Sequence, residues 1–234
     1  MDMNTANAIE LYAPTEQPLQ KPWNHWCAEW WKWLYSIPSP YNPIYGSDRK
    51  DGNNIIPDPA FSLTLRDQGN DGVLFLAGAR SGTVERTCNI SQDKAVFFPI
   101  ATCECSFAEF PNFSMADLEN NAKQGNKVRD MRVEIKGSEV LALDKNTRKD
   151  LQMNDLKRFG FSGAFQIEQI PYDNVFGADN RTPTSAYYVG YWLCLKPINR
   201  KTDFHLSVSQ DTEDNPSTNT FNSSYTLTYH LVIQ

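Results

Sequence analysis

From Gly72 onward the sequence is a succession of short apolar runs, each closed off by glycine, proline, asparagine or aspartate. The runs are "GVLFLAG" (72–78), "KAVFFPIATCECSF" (94–107), "MRVEIKGSEVLAL" (131–143), "GAFQIEQI" (163–170), "SAYYVGYWLCLKPI" (185–198), "DFHLSVSQ" (203–210) and "SYTLTYHLVI" (224–233). Many short strands separated by turn chemistry predict an all-β sandwich or barrel. In "MRVEIKGSEVLAL", Met131, Val133 and Ile135 alternate with Arg132, Glu134 and Lys136 ahead of Gly137-Ser138, which predicts a half-buried hairpin. "VLFLAG" and "YWLCL" are apolar on both faces and belong in the middle of a sheet or beneath a helix.

Helices are fewer. Ser114 with Asp117 three residues on gives "SMADLENNAK" a capping-box start, and "KDLQMNDLKRF" offers a second short helix. The strongest helical pattern lies near the start, in "PWNHWCAEWWKWLYSIPSP", which holds five of the six tryptophans. At about 100° per residue, Trp23, Trp26, Cys27, Trp30, Trp31, Trp33 and Leu34 share one arc, and Asn24, His25, Glu29 and Lys32 the other. Pro22 suits a first helical turn and Pro38 ends the pattern. Each indole can bury roughly 150–250 Å², so such a face needs a broad apolar surface to cover it. Three uses compete: packing on a sheet, lying on a membrane, or serving as an aromatic platform. A membrane helix wants lysine and arginine on its polar face. Here Glu29 balances Lys32, which leaves packing on a sheet as the expectation.

The 234 residues are enough for a full core, and no linker or repeat divides them. We expect one domain over 1–234: a tail at 1–21, the tryptophan helix at 22–35, a wrapping loop at 36–60, then a jelly-roll-like β-sandwich carrying one or two short helices. The net charge of −6, with lysine and arginine spread along the chain in runs of no more than two, argues against nucleic acid as a partner. No apolar run approaches the roughly 18 residues of a membrane span. The first twenty residues lack the basic and apolar regions of a signal peptide, so the default expectation is cytoplasmic. Five cysteines without a repeating spacing read as free thiols.

Chemistry has few places to sit. His25 falls on the polar side of the helix, as a solvated residue. In "DFHLSVSQ", Phe204, Leu206 and Val208 share a face, leaving His205, Ser207 and Ser209 opposite. In "SYTLTYHLVI", Leu227, Leu231 and Ile233 oppose Thr226, Thr228 and His230. If these strands form a hairpin over "DTEDNPSTNT", the two histidines lie within a residue or two of each other on one polar, uncharged face. Two converging imidazoles suit metal ligation or acid–base work, but the simpler reading is an exposed, hydroxyl-rich sheet face that happens to carry two histidines. Cys103-x-Cys105 lacks the second pair of a structural zinc site and reads as buried small hydrophobes. "RDQGNDG" (66–72) has the composition of a calcium loop without its ligand spacing. No G-x-S-x-G, HExxH or phosphate-cradling loop is present in the sequence.

Several stretches, in order, resemble a family of uncharacterised bacterial and archaeal proteins, many carrying an export signal. They are "WWKWLYSIP", Asn42-Pro43, "GVLFLAG", "RTCNI" with "KAVFFPI", "GYWLCLKPI" and "YHLVI". The resemblance implies an all-β body with an N-terminal helix and brings no functional residues. Many relatives have a cysteine before the "FLAG" strand that could pair with the one matching Cys88; that cysteine is missing here and no leader is recognised, so a secreted, disulfide-bonded state is not expected.

The function expected is a non-catalytic binding or assembly module, with His205, Ser207, Thr228 and His230 meeting a protein or glycan partner. Neither a metal nor a cofactor is expected, and an oligomer is compatible with the sequence. The alternative is a hydrolase, with glycans as the candidate substrate class and His205 and His230 in its site.

Overall fold

In a computed structural model, residues 9–39, 42–45, 72–137, 150–179, 183–212 and 224–234 are described. Among the described residues, nine strands form two sheets: β1 (Val73–Phe75), β2 (Gly82–Ile90), β3 (Ala95–Ser106), β4 (Val128–Lys136), β5 (Asp150–Gln152), β6 (Gly160–Ile167), β7 (Thr184–Leu195), β8 (Thr202–Thr212) and β9 (Ser224–Ile233). A four-stranded sheet runs β1-β3-β7-β6, and a five-stranded sheet runs β2-β9-β8-β4-β5. Together they make the expected sandwich. Two pairings are parallel, β1 with β3 and β2 with β9, and the rest are antiparallel.

The tryptophan helix, α1 (Trp23–Tyr35), covers one face of the four-stranded sheet. Trp23, Trp26, Trp30 and Trp31 are 4%, 2%, 1% and 5% exposed, as the sheet-packing expectation requires. Trp23 stacks on Phe161 of β6, Trp26 meets Phe75 of β1 edge-on, and Trp30 meets Trp192 of β7 edge-on. Two indoles also find acceptors: Trp26 Nε1 donates to the Pro18 carbonyl at 2.8 Å, and Trp30 Nε1 to the Leu76 carbonyl at 2.9 Å. Asn42, almost fully buried, ends the helix, its Nδ2 donating to the Leu34 carbonyl at 2.8 Å. This satisfies one of the carbonyls a helix end leaves open and gives the "NP" pair a structural role.

Alternation in β3 and β7 leaves Val96, Phe98, Leu193 and Leu195 for the opposite face. The five-stranded sheet covers it with Leu206, Val208, Leu227 and Leu231, all 2% exposed or less. A second helix, α2 (Met115–Gly125), begins with the expected capping box between Ser114 and Asp117. Its Leu118 and Ala122 pack on Cys105.

The other expected helix divides: its first residues join β5, followed by one turn, α3 (Met153–Leu156), and a 3-10 turn at Lys157–Phe159. The N-terminal segment is drawn into the sheet, with Leu11 bridging Leu195 and Tyr12 N donating to the Cys194 carbonyl. The second arm expected after Gly137-Ser138, most of the wrapping loop, the tip of the last hairpin and residues 66–71 lie outside the described residues. β4 takes its antiparallel neighbours from β8 and β5 instead.

Candidate functional site

The last two strands form the expected hairpin in a register that puts His205 directly opposite His230. Their rings stack at 4.7 Å between centroids, 10° from parallel. Ser207 faces Thr228 and Ser209 faces Thr226, with the Ser207 and Thr228 hydroxyls 2.9 Å apart and sharing a hydrogen bond. Asp203 Oδ2 lies 3.1 Å from His230 Nε2. All four residues expected at the site are therefore brought together. This follows from the uninterrupted two-residue alternation of both strands, whose apolar sets are locked into the core.

The neighbouring strands correct one expectation. Lys136, Glu134 and Arg132 of β4 stand opposite His205, Ser207 and Ser209, and Thr87 and Glu85 of β2 stand opposite His230 and Thr228. The face is thus charged at its borders. Lys136 reaches Glu134 at 2.8 Å, and Arg132 pairs with Glu134 and with Asp150. Such exposed pairs contribute little to stability, but they frame a neutral centre of imidazoles and hydroxyls with matched charges.

His25 is not the solvated residue expected: it is half-buried and meets the Trp26 ring edge-on at 4.9 Å. All five cysteines are free. Burial pushes the Cys88 thiol up to about 12 and those of Cys27 and Cys194 well above the usual range, so none of the three is a ready thiolate. Among the described residues no group of three or more histidine, cysteine or acidic side chains could hold a metal ion, and no helix is long and apolar enough to cross a membrane.

Compared with family models and with curated proteins, the sequence matches none.

A second titratable cluster escaped the sequence reading. Under the C-terminal end of α1, the Tyr35 hydroxyl is 2.7 Å from Glu104 Oε2 and 2.9 Å from Glu109 Oε2. Tyr35 is fully buried and Glu104 is 8% exposed. One phenol has one proton to give, so two short contacts to carboxyl oxygens require a second proton, carried by a carboxyl. Glu109 Oε2 also accepts from Ser106 N at 3.1 Å and Ser106 Oγ at 2.7 Å, whereas Glu104 Oε1 has no partner. Glu104 is therefore the protonated member, donating to Tyr35 while Tyr35 donates to Glu109. Burial first, and then the charge of Glu109, holds the Glu104 carboxyl well above the ordinary range; burial also raises Glu109. The cluster ties α1 to β3 in a water-poor place and stands apart from the histidine face.

Proposed function

We propose that the protein is a non-catalytic binding or assembly module that meets a partner protein or a glycan through the polar face of its five-stranded sheet. The observation that supports this reading is the direct opposition of His205 and His230, stacked at 4.7 Å beside the bonded Ser207–Thr228 pair. Imidazole and hydroxyl groups each donate and accept hydrogen bonds, which suits the hydroxyls of a sugar or the polar groups of a peptide. Held on adjacent strands of a continuous ladder, they need little ordering when a ligand arrives. His205 is exposed, as a contact surface requires. Screening the protein on an array of defined oligosaccharides tests this. His205→Ala/His230→Ala should abolish whatever binding the wild type shows while changing stability by less than about 1 kcal/mol. Binding that survives the double change rules the face out.

The alternative, a hydrolase using the same histidines, draws on the Asp203–His230 contact at 3.1 Å, since an acid that orients an imidazole is part of many general-base systems. Against it, the nearby Ser207 hydroxyl is engaged with Thr228. Turnover of a chromogenic glycoside that disappears in Asp203→Asn would establish the enzyme in place of the module.

A further inference from the structure

We propose that Cys103 and Cys105 form a reversible dithiol–disulfide site, oxidised by peroxide through Cys103, whose closure loosens α2. The two residues stand on one face of β3, since side chains two apart in a strand point the same way and the register against β7 runs unbroken from Ala101 to Ser106. Their thiols are in contact: Cys105 hydrogen-bonds to the Cys103 sulfur, while the Cys103 thiol donates to the Glu104 carbonyl at 3.8 Å. Exposure gives the two sulfurs different parts. Cys103 is half-exposed, whereas Cys27, Cys88, Cys105 and Cys194 are all buried. The expectation of buried small residues therefore holds for Cys105 and fails for Cys103. The hydrogen bond to Cys103, and then burial, hold the Cys105 thiol well above its ordinary range, so Cys103 is the sulfur that an oxidant meets first.

The chemistry runs in two steps. The Cys103 thiolate attacks one peroxide oxygen and the O–O bond breaks, leaving a sulfenic acid and a hydroxide that takes up the proton Cys103 released. The Cys105 sulfur then attacks the Cys103 sulfur; the S–O bond breaks, and water leaves with the Cys105 proton. Two thiols lose two electrons in all, and one peroxide becomes two waters.

Strand geometry makes the bond reversible. Two residues apart in a strand, Cα atoms are roughly 6.4–6.8 Å from each other, at the upper end of what a disulfide spans, and the Cβ atoms must close to roughly 3.5–4.5 Å. The bond therefore forms under strain, and strained disulfides are the readily reduced, regulatory ones. β3 can give at this place. β1 pairs only with Ala95, Val96 and Phe97, so among the described residues the half of β3 that carries the cysteines is held by β7 alone. What closure disturbs is also limited. Cys105 forms a small cluster with Leu118 and Ala122 of α2, separate from the main core. Drawing Cys105 toward Cys103 takes the floor from under those two side chains, and a close-packed contact tolerates no such gap. The proposal does not depend on the histidine face.

Hydrogen peroxide in small excess over the folded, reduced protein tests it, read by mass spectrometry after residual thiols are alkylated in denaturant. Trypsin cleaves after Lys94 and Lys123 and releases both cysteines in one peptide, 95–123. In the wild type that peptide should lose two hydrogens and escape alkylation, and dithiothreitol should restore it, while Cys27, Cys88 and Cys194 stay alkylatable. The two single variants should differ. Cys103→Ser should leave Cys105 a thiol, because burial keeps peroxide from it, whereas Cys105→Ser should leave Cys103 as a sulfenic acid that dimedone traps. Near-ultraviolet circular dichroism confirms that each variant is folded. In the oxidised wild type the amides of α2 should exchange several-fold faster, while those of β8 and β9 keep their protection. A peptide 95–123 that remains a dithiol, or a Cys105 that oxidises as fast in Cys103→Ser as in the wild type, overturns the proposal. Exchange in α2 that is unchanged by disulfide formation overturns it as well.

Discussion

The helix-covered side of the four-stranded sheet and the outer side of the five-stranded sheet are both built from paired side chains, in opposite surroundings. On the first, Trp30 is 1% exposed and meets Trp192 at 5.2 Å with its ring edge. On the second, His205 is exposed and its ring lies parallel to His230 at 4.7 Å. Rings of similar separation therefore have different consequences. The indole pair removes apolar surface from water on both partners, whereas the imidazole pair leaves the His205 ring exposed and holds His230 Nε2 against Asp203. The first contact supports the fold, and the second is free to be used.

The largest effect that should separate the two sides is Trp30→Ala. It removes a buried ring and its hydrogen bond to the Leu76 carbonyl, and should cost about 3–5 kcal/mol, as large aromatic truncations in cores do. Denaturant unfolding measures it. An unchanged midpoint would mean that α1 does not depend on its indoles for docking.

The next effect concerns the carboxyl cluster within the apolar side. Glu104 and Glu109 have folded-state pKa values raised above their unfolded ones, chiefly by burial. Their contribution is then fully present below the unfolded carboxyl range, about 4.3, and is lost as pH rises through the folded values. Stability should fall toward alkaline pH. Glu104→Gln carries no proton to lose and keeps, in its amide N–H, a donor to the Tyr35 hydroxyl, so it should flatten that fall and stabilise the protein at pH 8 by roughly 1–3 kcal/mol. Unfolding series at several pH values read this directly. A parallel pH dependence in wild type and variant would remove Glu104 from the account.

Tyr35→Phe should behave oppositely. It deletes the hydroxyl between the two carboxyls and leaves both without their shared partner. A loss of roughly 1–3 kcal/mol is expected, measured at a pH where Glu104 is protonated.

The same contrast explains what the sequence disclosed. Where alternation is unbroken, as from Phe204 to Val208 and from Leu227 to Ile233, the strand, its inward face and its polar face could all be read, and the histidines met as expected. The carboxyl cluster could not be read because β3 changes phase. Its register against β7 shifts between Pro99 and Ala101, so Phe97 and Pro99 share a side with Thr102, Glu104 and Ser106 rather than with Cys103 and Cys105. A one-residue bulge reverses every later side chain, and it carries Glu104 under Tyr35. Gly190 records the crowding there: a Cβ on it would stand 2.5 Å from Thr102 Oγ1.

β2 was missed for a different reason. Its inward set is Val84, Arg86, Cys88 and Ile90, and an arginine among apolar residues hides the period. Arg86 is tolerated because its guanidinium donates to the carbonyls of Ala77, Gly78 and Pro43 and to the Tyr229 hydroxyl. These partners come from three other parts of the chain, so no local pattern announces them. The parallel pairings of β2 and β1 are equally non-local.

The smallest effect should come from the histidine pair, and it sharpens the comparison most. A double-mutant cycle on His205→Ala and His230→Ala isolates the coupling between the rings from their separate contacts. Cross-strand pairs on an exposed sheet face are worth roughly 0.2–1 kcal/mol, while a buried aromatic pair adds about 0.5–1.5 kcal/mol beyond its area. The coupling of His205 to His230 should therefore fall below that of Trp30 to Trp192 measured in the same way. The ordering follows from solvent access: water competes for the imidazole nitrogens whether or not the rings stack, whereas nothing replaces Trp192 when Trp30 is removed. A histidine coupling as large as the tryptophan one would mean that the outer face is held together for stability, and the case for it as a surface kept free for a partner would fail with that result.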